Sequence, residues 1–211
     1  MQGSKTRFTE VCLSSPIQSV CVFCGSSAGN EPEYALSGKA LGAALARGGL
    51  TLVYGGGNVG IMGECARSAL AAGGRVVGVI PERIFGMVQH IELSEIHVVA
   101  GMHERKAKMY ELADGFIILP GGIGTMEEFF EVYTWYQLGY HEKPIGMLNV
   151  KGFFDPLLAL LRWISEKGFM RSAHLDMLIV DDDPERLIET VCTKRFTYID
   201  KFGKHEEIPN V

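Results

Sequence analysis

Short, almost wholly apolar runs alternate along the chain with longer stretches whose apolar residues recur every three to four positions. The short runs predict strands near residues 19–24, 51–54, 75–80, 96–99, 115–119, 144–148 and 177–180. The periodic stretches predict helices near 31–47, 60–72, 102–113, 124–138, 155–167 and 184–194. Strands that are apolar on both faces belong in a parallel sheet covered on each side by helices. The expected fold is therefore α/β: a single Rossmann-like, doubly wound domain over residues 18–202, with a mostly parallel sheet of about seven strands. A polar arm, 1–17, and a tail, 203–211, flank it, and no linker or internal repeat interrupts it.

Composition narrows the class. With 211 residues, 47% of them hydrophobic, the chain can build one substantial core. A net charge of −5 with scattered Lys and Arg argues against a nucleic-acid partner, which needs clustered cations. No apolar run approaches the ~20 residues of a membrane span, and residues 1–18 lack the apolar block of a secretory signal. These features point to a cytoplasmic protein. Five cysteines, an odd number in a chain too large to need staples, suit reduced thiols. Cys21 and Cys24 form a C-x-x-C, but on a strand positions three apart face opposite sides, so both read as core cysteines. Among the histidines, His97 reads as structural and His103 as a supporting residue near a site. No histidine pair or acidic cluster has metal-ligand spacing, and the Asp181-Asp-Asp-Pro184 run reads as a helix cap. Neither metal nor cofactor is called for.

Glycine is the outlier: 26 are present, where average usage would give roughly 15. Ten follow three of the predicted strands: Gly25 and Gly29, then Gly55, Gly56, Gly57, Gly60 and Gly63, then Gly121, Gly122 and Gly124. In a doubly wound sheet that is the edge where ligands gather. Six more (Gly48, Gly49, Gly73, Gly74, Gly139, Gly168) fall where helices should stop. The run Leu119-Pro-Gly-Gly-Ile-Gly-Thr-Met-Glu-Glu128 leaves a strand, turns on glycines and enters a helix. Exposed backbone N–H groups, the Thr125 hydroxyl and a helix N-terminus make an anion site suited to phosphate, although the loop has no Walker lysine. Glu127 and Glu128 could be acids favoured by the helix dipole; beside a phosphate, Glu128 calls for a further reason.

Gly55, Gly57 and Gly60, with Glu82 some 20 residues on, also fit a dinucleotide fingerprint, which leaves an oxidoreductase open. In the helix starting at Met102, the residues Met102, Met109, Leu112 and Ala113 form the apolar stripe, and Arg105 and Lys106 flank it. Both are cations in a first turn, where the dipole disfavours them and a bound anion would compensate. Phe129, Phe130, Tyr133, Trp135 and Tyr136 exceed what one buried stripe needs, so part of helix 125–138 is expected to meet a second subunit.

The residues Pro120-Gly121-Gly122-x-Gly124-Thr125-x-x-Glu128, with Met102-His-Glu-Arg-Lys106 and the Gly55–Gly63 loop, resemble the LOG (Lonely Guy) family. These are cytokinin riboside 5′-monophosphate phosphoribohydrolases, often labelled lysine decarboxylases, though no lysine here is placed as a pyridoxal phosphate anchor. The likeness runs from about Ser19 to Pro184. It implies a Rossmann-like homodimer that cleaves the N-glycosidic bond of a purine nucleoside 5′-monophosphate, either a cytokinin type or AMP as in an AMP nucleosidase. It also implies catalytic roles for Arg105 and Glu128. Substrate contacts are implied at Lys106, Gly121, Gly122, Gly124, Thr125, Glu127 and Thr134, with Gly57, Asn58, Gly25 and Ser26 completing the pocket. The family's Arg-Glu pair after the third strand is replaced here, with Met87 at or near the glutamate position. A non-catalytic nucleotide-binding module would keep the glycine loops without needing Arg105 and Glu128.

Overall fold

The computed structural model describes residues 16–87 and 91–194. Residues 1–15 of the expected arm, the expected tail and the end of the domain at 202 lie outside them. Seven strands form one sheet: β1 (Ser19–Phe23), β2 (Thr51–Tyr54), β3 (Val76–Pro81), β4 (Glu95–Val99), β5 (Gly115–Ile118), β6 (Ile145–Leu148) and β7 (Leu178–Asp181). Their order is β4-β3-β2-β1-β5-β6-β7. Every pairing is parallel, so the expected doubly wound α/β sheet is present. The order reverses between β1 and β5, which makes their carboxyl ends the switch point.

Alternation along the strands sorts side chains into two cores. Val20 and Val22 of β1 face one side, with Leu41 and Leu45 of α1 (Pro32–Arg47), Ile61 and Cys65 of α2 (Gly60–Ala71) and Leu187 of α8 (Pro184–Thr193). Cys21 and Phe23 face the other, with Met109 of α4 (Met102–Leu112), Phe129 and Tyr133 of α5 (Ile123–Gln137) and Leu161 of α6 (Asp155–Glu166). The opposite-facing cysteines of the C-x-x-C are thus observed, Cys21 packed in one core and Cys24 against the other. Helices α1 and α2 meet closely because Gly42 lacks a side chain: a Cβ there would fall 2.1 Å from the Cys65 carbonyl oxygen.

Helix ends follow their sequence signals. Gly49, Gly73, Gly139 and Gly168 all take φ between +69° and +80°, the left-handed conformation of a helix stop. Asp183 caps α8 by accepting from Arg186 N–H at 2.9 Å. Three short elements appear that periodicity does not predict: α3 (Glu82–Phe85), α7 (Ser172–Leu175) and a 3-10 turn at Val150–Gly152. None is long enough to show a helical repeat.

Candidate active site

Three helices begin at the carboxyl edge around the switch point, and none has a side-chain cap. Glu31 precedes α1, Val59 precedes α2 and Gly122 precedes α5, all without a capping hydrogen bond. The first intrahelical donor of α5 is Met126 N–H, to Gly122 O at 3.1 Å, so the N–H groups before it are those a helix leaves unpaired. At Gly122 and Gly124 a Cβ would meet nothing within 4 Å, and neither residue has a left-handed φ. Packing and conformation therefore do not require glycine at either position, and the backbone there stands open.

A cavity of about 420 Å³ opens on these donors. Gly25, Ser26, Gly57, Gly122, Gly124 and Thr125 line one part of it, and Arg105 and Glu128 another. Val59, Met62, Ile84 and Ile123 add an apolar wall that the motifs do not reveal, although each follows a glycine loop or strand end at the ligand edge. Cys24 also lines the cavity and is half-buried rather than sealed in the core, because β1 ends at Phe23.

Arg105 and Glu128 come together across this cavity, with Nη1 and Oε1 3.5 Å apart and side chains only 14% and 11% exposed. Arg105 belongs to the inward stripe of α4, one turn before Met109, whereas Met102, expected on that stripe, is 46% exposed. Arg105 Nε donates to the Val79 carbonyl at 3.2 Å. Its guanidinium fills the space over Gly55, where a Cβ would lie 1.9 Å from Nη2. Gly60, at φ +57°, packs on the backbone of Ser26. Two glycines of the dinucleotide fingerprint thus serve packing inside the protein. Glu82, its acidic partner, is exposed on α3.

Burial raises the Glu128 carboxyl above the ordinary carboxylate range; Arg105 opposes that shift and Glu127 adds to it. The result is a carboxyl group with enhanced proton affinity held beside a fixed cation.

Other expected site residues lie elsewhere. Lys106 is absent from the cavity wall and pairs instead with Glu127 and with Glu131, the latter at 3.0 Å. Asn58 is held by Arg67. Gly121 admits the Thr125 side chain and lines a neighbouring cavity of about 270 Å³ with Tyr34 and Phe153. Thr134 is exposed, nine residues or roughly 13 Å along α5 from Thr125. His103 and Met87 are exposed as well. Of the aromatic residues on α5, Phe129, Tyr133 and Tyr136 are buried and Trp135 sits edge-on to Tyr110, leaving Phe130 and the nearby Ile123 facing outward.

A parallel sheet whose order reverses between β1 and β5, with helix N-termini at that edge, defines a Rossmann-like α/β protein. The sequence profile of the family described as "possible lysine decarboxylase" matches residues 62–191. The chain belongs to this family, the LOG family of the motif resemblance. A cytokinin riboside 5′-monophosphate phosphoribohydrolase of Rhodococcoides fascians is 47% identical over 176 residues, 82% of this chain and 89% of that protein. The cytokinin riboside 5′-monophosphate phosphoribohydrolase LOG1 of Arabidopsis thaliana is 40% identical over 178 residues, 84% of each. Among solved structures, the molybdenum cofactor binding protein of Rippkaea orientalis superposes with a TM-score of 0.64 at 22% identity, covering 82% of this chain and 94% of that one. That last likeness concerns the fold alone.

Proposed function

We propose that the protein hydrolyses the N-glycosidic bond of a purine nucleoside 5′-monophosphate, releasing free base and ribose 5-phosphate. The relatives' names supply the reaction class. The observation that carries the reading is the buried Arg105–Glu128 pair on the wall of a cavity floored by bare helix N-termini. A nucleotide-binding module needs the glycine edge but has no use for a buried carboxylate of raised proton affinity.

The 5′-phosphate docks at the start of α5, where Gly122 and Gly124 leave backbone open and the helix dipole favours an anion. Cleavage places positive charge on the ribose and negative charge on the departing base. Glu128 faces the ribose, stabilises the oxocarbenium-like centre and takes the proton of the attacking water as the new C–O bond forms. The electrons of the breaking C–N bond leave with the base; the Arg105 guanidinium holds the developing charge until the base takes up a proton from solvent, and Glu128 returns to solvent the proton it accepted. Val59, Met62, Ile84 and Ile123 form the apolar part of the cavity and suit the base together with an apolar substituent.

The outward Phe130, which is 38% exposed, supports assembly into a homodimer through the outer face of α5. A second subunit would also give the exposed Thr134 a contact. No helix among the described residues is long and apolar enough to cross a membrane. Cys21, Cys24, Cys65 and Cys192 are free thiols, which suits the cytoplasm.

Incubation with AMP and with isopentenyladenosine monophosphate, followed by chromatography of base and ribose 5-phosphate, tests the reaction. Release of both products from at least one substrate is expected. Saturable binding without release would make the protein a nucleotide-binding module, and preferential binding of NAD(H) would revive the fingerprint reading.

A further inference from the structure

The sheet has a second hollow at its switch point. Strand order reverses between β1 and β5, and the cavity of about 270 Å³ lies between the loops that leave those two strands. Such a crevice is where open parallel sheets take ligands, and the Arg105–Glu128 pair lies outside this one. Gly25, Ser26 and Gly122 line both cavities, so the two stand back to back across one pair of loops. Those loops touch backbone to backbone: Gly25 N–H donates to the Pro120 carbonyl at 3.0 Å, and a Cβ on Gly121 would fall 2.8 Å from the Gly25 nitrogen.

Two aromatic rings wall the second cavity. Tyr34 and Phe153 meet edge to face, with centres 5.6 Å apart and planes at 73°. Gly29, at φ +78°, leaves room for the Tyr34 ring, to which a Cβ would come within 2.7 Å. Lys151 alone among the described non-glycine residues has a left-handed φ, +51°. Its ammonium reaches Glu31 and Glu33, tying the turn before Phe153 to the start of the helix that carries Tyr34. A costly backbone conformation persists where its surroundings fix it, here between the two aromatic walls. Ile61 and Pro120 add apolar surface. Ser26, Ser27, Asn30 and the Tyr34 hydroxyl make no side-chain hydrogen bond among the described residues, and no charged side chain lines the cavity.

We propose that this cavity is a second binding site, for an uncharged, flat heteroaromatic ring the size of a free purine base, lying against Tyr34, Phe153 and Ile61 with its polar edge toward Ser27 and Asn30. Such a ring matches each part of the lining: its faces meet aromatic and apolar walls, its edge meets neutral donors and acceptors, and it brings no charge that would go unanswered. The volume falls short of the roughly 300–1,000 Å³ of sites for drug-sized ligands, so a base fits where a whole nucleotide does not. The proposed hydrolysis would release a ring of this kind, but the site does not depend on that reaction.

Adenine titrated into protein with carbon-13-labelled isoleucine δ1 methyl groups tests the site, because Ile61 lines the second cavity while Ile84 and Ile123 line the first. The Ile61 methyl should move along its own saturation curve, half-complete at about 1 mM or below. Benzoate, equally flat but charged, should leave Ile61 in place. Tyr34→Ala should weaken the Ile61 curve by about tenfold or more and leave any Ile84 curve unchanged. If that variant does not fold, Ser27→Trp, which fills the cavity from an exposed position, should do the same. An Ile61 methyl that stays still, moves without saturating, or keeps step with Ile84 through both variants would overturn the proposal. An equal response to benzoate would overturn the assignment of an uncharged ring. No turnover enters the measurement, so a failure to release base from monophosphates refutes the hydrolase reading alone.

Discussion

A single methyl group at position 55 tests the placement of Arg105 without touching Arg105 itself. Gly55 does not adopt a left-handed φ, so an alanine backbone fits there. The new Cβ would stand 1.9 Å from Arg105 Nη2, 3.1 Å from Cζ and 3.3 Å from Met62 Sδ, all atoms of flexible side chains. An unstrained contact needs about 3.5 Å, so the guanidinium must retreat by roughly 1.6 Å. That displacement breaks the 3.2 Å bond from Nε to Val79 O and carries Nη1 beyond its present 3.5 Å from Glu128. Losing one charged hydrogen bond in a half-buried site costs about 2 kcal/mol of stability, or roughly 4–8 °C in a chain of this size. Misplacing a charge-stabilising group by more than 1 Å lowers kcat by roughly 10²–10³. Initial rates of base release and a thermal melt of Gly55→Ala measure the two effects. The double variant with Arg105→Ala completes the cycle: with the guanidinium gone, the methyl group has no clash to make and should change kcat little further. A Gly55→Ala enzyme within threefold of wild-type kcat, or full additivity in the cycle, would refute the placement.

Glu128→Gln should lower kcat by roughly 10²–10⁴. It should also raise the melting temperature at neutral pH: with its proton affinity raised in the folded state, Glu128 ionises first in the unfolded chain and draws stability down as pH climbs through the carboxylate range. That advantage should vanish in melts run below the ordinary carboxylate pKa. Gly124→Ala, whose Cβ meets nothing within 4 Å, should melt like the wild type yet bind nucleoside 5′-monophosphates at least tenfold more weakly than before, with the affinity for the unphosphorylated nucleoside unchanged by calorimetry. His141 bonds the Val132 carbonyl through Nε2 and accepts from Lys143 N–H, and burial lowers its pKa from 6.5 to about 4. The unfolded chain therefore takes up the proton first as pH falls from 6.5 to 4, removing up to roughly 3 kcal/mol, and His141→Gln should flatten that part of the pH–stability curve in denaturant titrations.

Strand and helix succession was legible in the sequence because each long element repeats its pattern several times: β1 to β7 and the six long helices all fall within a residue or two of the apolar periodicities. The edge carrying the site was legible too, since glycines after β1, β2 and β5 are dense enough to mark it. Contacts between elements were not. Local spacing puts Arg105 and Lys106 on adjacent flanks of α4, but which one enters the cavity depends on where the helix crosses the sheet edge. Arg105 turns inward over Gly55, while Lys106 is taken by two carboxylates from a helix some 20 residues away. The motif contains Glu127 and Glu128 side by side, yet at 100° per residue only one can point at the cavity, and burial selects Glu128. His141 lies in a loop with no periodicity to announce it, and its buried position comes from ring packing against Tyr110, Phe116 and Tyr136.

The glycines of the ligand edge divide by what their missing side chains admit. Gly25, Gly55, Gly60 and Gly121 make room for the protein's own atoms: a neighbouring loop backbone, the Arg105 guanidinium or the Thr125 side chain. Alanine at those positions would disturb the empty fold. Gly122 and Gly124 admit nothing that belongs to the protein, and an alanine would fit the unliganded chain at lower conformational cost. Glu128 is likewise a net burden on the empty fold, a carboxylate buried against its preference for water. A fold shaped for stability alone would fill the first two positions and replace the third. All three lie on one cavity wall, so the departures from the stable choice converge on a single place, where a bound monophosphate would occupy the open backbone and the strained carboxylate would meet the developing charge of its ribose.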